Sequence, residues 1–97
     1  MDQPIACSLT VTALAERRTA TARIARDALR SREPLPSGER LTFSAEPTTE
    51  RDLRELIAAE SECCPFLRFD LARDGEVLRL DVTGPAEAQP IVAKLFA

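Results

Sequence analysis

Two of the chain's three cysteines stand side by side in the stretch Glu60-Ser61-Glu62-Cys63-Cys64-Pro65-Phe66. Vicinal thiols among carboxylates are ligands for a soft metal ion once their protons leave. The spacing says how they would be placed. Leu53, Leu56 and Ile57 fall on one helical face. The next members of that face are Glu60 and Cys64, with Cys63 beside it. Pro65 ends the helix and drives Cys64 toward an extended backbone. Carboxylate and thiols are therefore expected to converge at one buried or half-buried corner.

Charge chooses among the chemistries open to that corner. It is a helix C-terminus, the negative end of the dipole, and Glu60 and Glu62 add to it. A reactive cysteine nucleophile needs the opposite surroundings, a helix N-terminus or a nearby cation. A bound cation displaces the thiol protons and is then favoured by the same negative field. Thiolates suit mercury(II), arsenic(III), copper(I) and zinc, and the choice among them stays open. Cys7 offers a third sulfur if folding brings it near, and Glu60 a hard fourth ligand. The expected metal ligands are thus Cys7, Cys63, Cys64 and Glu60. A bridge between Cys63 and Cys64 would need a distorted intervening peptide. Blander readings remain beside these. The cysteines can be small buried hydrophobes. Glu60 can lie at the rim with its carboxylate in water, or pair with an arginine. No histidine is present, which excludes Cys-His and Ser-His-Asp catalysis within the sequence, and no catalytic residue is assigned.

The whole composition is that of a soluble globular protein, at 44% hydrophobic and 30% charged residues. Residues 1–97 are read as one domain. A net charge of −3, with four phenylalanines as the only aromatics, argues against a nucleic-acid partner. Met1-Asp2-Gln3-Pro4 does not begin a signal peptide, and no apolar stretch approaches the length of a membrane span. The cytoplasm is the expected compartment, where a disulfide framework is disfavoured.

The elements that must hold the corner follow from periodicity. Residues 5–9 form a short apolar run, a strand or an extended arm, and carry Cys7. A helix follows to about Ser31, capped by Thr10 or Thr12. Its thin apolar side holds Leu14, Ala20 or Thr21, Ile24, Ala25, Ala28 and Leu29. Its other side holds Arg17, Arg18, Arg23, Arg26 and Arg30, with Asp27 spaced to offset Arg23 and Arg30. That basic side reads as a solvated helix surface or as a contact for an anionic partner or a second copy. Glu33-Pro34-Leu35-Pro36-Ser37-Gly38 reads as a loop. Residues 40–45 alternate as a strand. A second helix opens near Pro47, with Thr49 as cap and Asp52 three residues on. Asp74-Gly75 then signals a hairpin. A turn there sets Leu71 against Leu78, Phe69 against Leu80 and Leu67 against Val82. It also sets Asp70 against Arg79 and Arg68 against Asp81. Residues 86–97 read as a last helix, starting near Gln89 or kinked at Pro90. The predicted class is α+β: a small antiparallel sheet of three or four strands with helices packed on one face.

The segment Glu62-Cys63-Cys64-Pro65-Phe66-Leu67, the following hairpin and Thr83-Gly84-Pro85 resemble a family of small uncharacterised bacterial proteins. The start Ala6-Cys7-Ser8-Leu9-Thr10 is similar as well, so the likeness covers most of the chain. Members of that family are associated with heavy-metal resistance or metal-responsive regulators. The resemblance therefore implies a soft-metal role resting on the three cysteines. Three functions compete: a cytoplasmic metal-binding protein for resistance, buffering or delivery, a thiol redox enzyme using Cys63 or Cys64, and a non-catalytic interaction domain that forms a homodimer.

Overall fold

The structure is a computed structural model that describes residues 11–96, with side chains described from residue 16 onward. Helix α1 (Val11–Ala28) leads into strand β1 (Leu29–Leu35) and its hairpin partner β2 (Gly38–Ser44). Helix α2 (Pro47–Cys63) follows, then the hairpin β3 (Arg68–Asp74) and β4 (Val77–Thr83). A short 3-10 turn (Ala86–Ala88) and helix α3 (Gln89–Lys94) end the chain's described part. The four strands form one antiparallel sheet in the order β1-β2-β4-β3. The fold is α+β, as its patterning predicts.

Leu41 and Phe43 on β2 and Leu78, Leu80 and Val82 on β4 all turn to one face and are almost fully buried. Ile24 and Ala28 of α1, Leu53 and Leu56 of α2, and Val92 beyond them close that face. Phe96 packs edge-on against Phe43, with ring centroids 5.1 Å apart. The sheet's two central strands approach so closely at Gly38 that a Cβ there would stand 1.8 Å from the Val82 carbonyl oxygen.

The first hairpin departs from the sequence reading. The helix ends at Ala28, and Leu29 already pairs with Phe43. The fourth strand is thus β1, drawn from residues read as helix end and loop. Arg30, Ser31, Arg32 and Glu33 show no apolar alternation because β1 is an edge strand, mostly exposed. Pro34 is tolerated for the same reason. Arg32 does structural work there: it donates to the Leu95 and Ala93 carbonyls at 2.9 and 3.2 Å, capping α3, and pairs with Glu39 at 2.9 Å. The expected strand or arm at residues 5–9 lies outside the described residues.

The second hairpin is present, but its register differs. Leu71 faces Leu80 and Phe69 faces Val82, because the two-residue tip is Gly75-Glu76. Gly75 has φ 64° at the first tip position, and Glu76 has no positive φ. That is the arrangement of a type II′ turn, which needs glycine first. Moving the pairing by two residues keeps the apolar residues on the core face. It changes the charged face: Asp70 now faces Asp81, and Arg79 faces Ala72. The charges find partners elsewhere. β4 lies between β2 and β3, and Arg40 of β2 holds Asp81 with two bonds of 2.8 and 3.0 Å. Arg79 pairs with Asp74, and Arg68 with Asp70 at 3.1 Å.

Helix starts also differ in detail. Glu46 is the N-cap residue of α2 without a side-chain bond, and Pro47 fills the first turn, so the Thr49–Asp52 capping box does not form. Asp27 meets Arg26 at 3.5 Å, and Arg30 turns instead to the Ser44 hydroxyl. Pro90 sits in the first turn of α3, where its missing N–H costs nothing.

Candidate functional site

Helix α2 buries Leu53, Leu56, Glu60 and Cys63 along one stripe. Cys64 is the C-cap residue, with φ −124° and ψ 70°, and its N–H donates to the Glu60 carbonyl at 2.6 Å. The Cys64 carbonyl accepts from Leu67 at 3.0 Å, so Pro65 and Phe66 form the tip of a tight turn into β3. This local chemistry fixes both sulfurs at the base of the core: Cys63 is 7% exposed and Cys64 is fully buried.

Glu60 lies inward, as its place on the stripe predicts, and is 5% exposed. Such a carboxylate needs a partner to offset its lost hydration. Arg17 of α1 supplies it, with Nη1 2.7 Å from Glu60 Oε1. The second oxygen, Oε2, lies 3.8 Å from Cys64 Sγ. Of the readings open for Glu60, the arginine pair is present and the water-exposed rim position is not. Arg17 does not stand on the solvated basic side of its helix, as its sequence pattern suggests. It belongs instead to the stripe Arg17, Thr21, Ile24, Ala28, whose last three members are buried. The spacing of four, three and four residues was the signal for it. Arg17 also lines an open cleft of about 380 Å³ between α1 and α2, together with Glu16, Arg23, Asp52 and Glu55.

The two cysteines differ chemically. Cys63 is a free thiol, whereas Cys64 is disulfide-bonded. The bridge therefore does not join the vicinal pair. Cys7, the expected third sulfur, lies outside the described residues. A disulfide sulfur has no proton to give, so the 3.8 Å approach to Glu60 is a packing contact while the bridge stands. The structure thus brings Cys64 and Glu60 together, with Cys63 buried next to Cys64 in the chain. Among the described residues no three His, Cys, Asp or Glu side chains are grouped as metal ligands. No described helix is long and apolar enough to cross a membrane. No protein-family model, curated protein or solved structure matches the chain.

Proposed function

We propose that this chain is a cytoplasmic soft-metal-binding protein acting in resistance, buffering or delivery, with Cys63 and Cys64 as its central ligands and Cys7 as the third sulfur. The observation that carries the reading is the placement of Cys64 Sγ 3.8 Å from a buried carboxylate, with a second buried thiol next to it in the chain. A sulfur beside a buried carboxylate, with a second buried thiol adjacent in the chain at the negative end of α2, suits a cation of mercury(II), arsenic(III), copper(I) or zinc type. Binding belongs to the reduced chain. Two molecules of a low-molecular-weight thiol supply two electrons and two protons to the Cys64 bridge, the first forming a mixed disulfide and the second releasing it, and leave joined as their own disulfide. The metal then displaces the thiol protons. Glu60 is the near acceptor for one of them, or the hard fourth ligand, although Arg17 already holds its other oxygen.

The test is native mass spectrometry of the chain reduced with a phosphine and titrated separately with each of the four ions. One ion per chain is expected, lost in Cys63→Ser and Cys64→Ser and weakened in Cys7→Ser. The oxidised chain should bind far less. Equal binding by the reduced chain and a variant lacking all cysteines would overturn the proposal.

The bridge at Cys64 favours a second reading, a thiol redox enzyme that cycles this sulfur while Cys63 remains reduced. Its weakness is the burial of Cys63, which keeps a substrate from reaching the thiol. Reactivity of Cys63 toward iodoacetamide that stays slow up to pH 9 would count against it.

A further inference from the structure

Among the described residues, strand β3 is one edge of the sheet, with β4 on its inner side. Natural sheets blunt such edges. The opposite edge is blunted: β1 carries Pro34 and a register irregularity between Leu29 and Ser31. β3 has neither, and its seven residues pair without interruption with β4. The tip beside it has two residues, so Asp74 and Val77 flank it as a hydrogen-bonded pair. Alternation from there directs the backbone N–H and C=O groups of Phe69, Leu71 and Arg73 away from β4.

We infer that β3 pairs antiparallel with β3 of a second copy of this chain, about a two-fold axis at Leu71. This register sets Arg68 opposite Asp74 of the second copy, Phe69 opposite Arg73, Asp70 opposite Ala72 and Leu71 opposite itself. It uses the full strand and joins outward backbone groups only to outward ones, giving roughly six inter-chain hydrogen bonds. Both ends carry opposite charges, and no like charges meet. The neighbouring registers fail on this point. An axis at Asp70 sets that carboxylate against its own copy. An axis at Ala72 sets Asp70 against Asp74. A shift of one residue alone would oppose outward groups to inward ones.

The side chains agree with the backbone. Phe69 and Leu71 are half-buried, and with Ile57, Ala58 and Arg54 of α2 they line an open cleft of about 300 Å³. Pairing places the same apolar strip of the second copy beside it, in an isologous contact. Arg73 of one copy then lies over the Phe69 ring of the other. The other candidate occupant, residues 5–9 of the same chain, offers Ile5, Ala6, Cys7, Ser8 and Leu9. None carries a charge to answer Arg68 or Asp74. The inference is independent of metal binding.

Sedimentation equilibrium, run with and without phosphine reductant, tests it. A reversible dimer is expected under both conditions. Arg68→Asp opposes two carboxylates at each end of the paired strands and should raise the dimer dissociation constant at least about tenfold. Amide exchange of the wild-type protein gives a readout free of any folding defect. The Phe69, Leu71 and Arg73 amides should gain protection as protein concentration rises. A monomer at all concentrations, a dimer lost only with reductant, a dimer unmoved by Arg68→Asp, or protection of those amides independent of concentration would each overturn the pairing. The last result would place another segment of the same chain on this edge.

Discussion

Arg17 Nη1 and Glu60 Oε1 meet at 2.7 Å across 43 residues of chain, and their contact ties α1 to α2 beside the cysteine corner. Glu60 is the more deeply buried member, with a side chain 6% exposed against 19% for Arg17. The two are therefore not equivalent. Arg17 can turn toward the α1–α2 cleft when its partner is removed, whereas Glu60 has no such exit. Arg17→Ala should lower stability by about 1–3 kcal/mol, the cost of stranding a buried charged group. Arg17→Ala combined with Glu60→Leu should recover most of that loss, because an apolar pair needs no compensation. Urea unfolding of the wild type, Arg17→Ala and the double variant measures both effects. A double variant as unstable as Arg17→Ala would mean that packing, not charge, sets the cost.

The register of the second hairpin gives another expectation. Asp70 stands opposite Asp81, like charge against like, on the sheet face away from the helices. Asp81 is already satisfied by Arg40, while the Arg68–Asp70 pair is exposed and worth little. Asp70→Thr should therefore stabilise the fold by a few tenths to one kcal/mol. Had Asp70 faced Arg79, the same change would cost stability. Thermal unfolding at low ionic strength, where the repulsion is least screened, tells the two apart.

These hairpins show what periodicity carries and what it leaves out. Alternation of Leu67, Phe69 and Leu71 with Arg68 and Asp70 assigns faces, and any even shift preserves them. The shift itself was set by the turn, where Gly75 takes the first position of a type II′ tip, and by β2, which claims Asp81 from a strand distant in sequence. The apolar pairing survives the shift, whereas the expected charge pairs do not form. β1 was hidden for a different reason: an edge strand buries little, so its pattern is nearly polar throughout. Glu60 was legible because a carboxylate on an apolar stripe is conspicuous. Arg17 was not, because a long basic side chain fits both the core rim and a solvated face. The oxidation state of Cys64 is written in no local pattern, since a bridge depends on which sulfur the fold brings near.

The Arg40–Asp81 pair makes acid stability testable. The hydrogen bond from Arg40 holds the Asp81 carboxyl below its ordinary 3.8, helped by the charges of Arg40 and Arg79 and opposed by burial. A carboxyl lowered in the folded state binds fewer protons there than in the unfolded chain. Its contribution is full above the ordinary carboxylate range and is lost as pH falls below about 3.8 through the lowered value. Arg40→Met should therefore lose stability at pH 6 but little at pH 2. The gap between its urea unfolding free energies at those two pH values should be smaller than in the wild type. An unchanged gap would leave the acid sensitivity to other carboxylates.

The sharpest test of the cysteine corner is Glu60→Gln in the reduced chain. Glu60 Oε1 is held by Arg17, so any bond to a metal must use Oε2, the oxygen 3.8 Å from Cys64 Sγ. The amide keeps the side chain's size and one acceptor but loses the charge, so Arg17 retains a weaker contact. If Glu60 is the hard fourth ligand, zinc affinity should fall at least about tenfold while mercury(II) changes little, because mercury depends far more on sulfur. If Glu60 only accepts a thiol proton, both ions should weaken modestly and the loss should shrink as pH rises and the thiols ionise unaided. Competition titrations with a chromophoric chelator at pH 7 and pH 9 separate these outcomes. Zinc affinity untouched at both values, with unfolding shifted, would leave Glu60 as the anchor of Arg17 and the metal to the sulfurs alone.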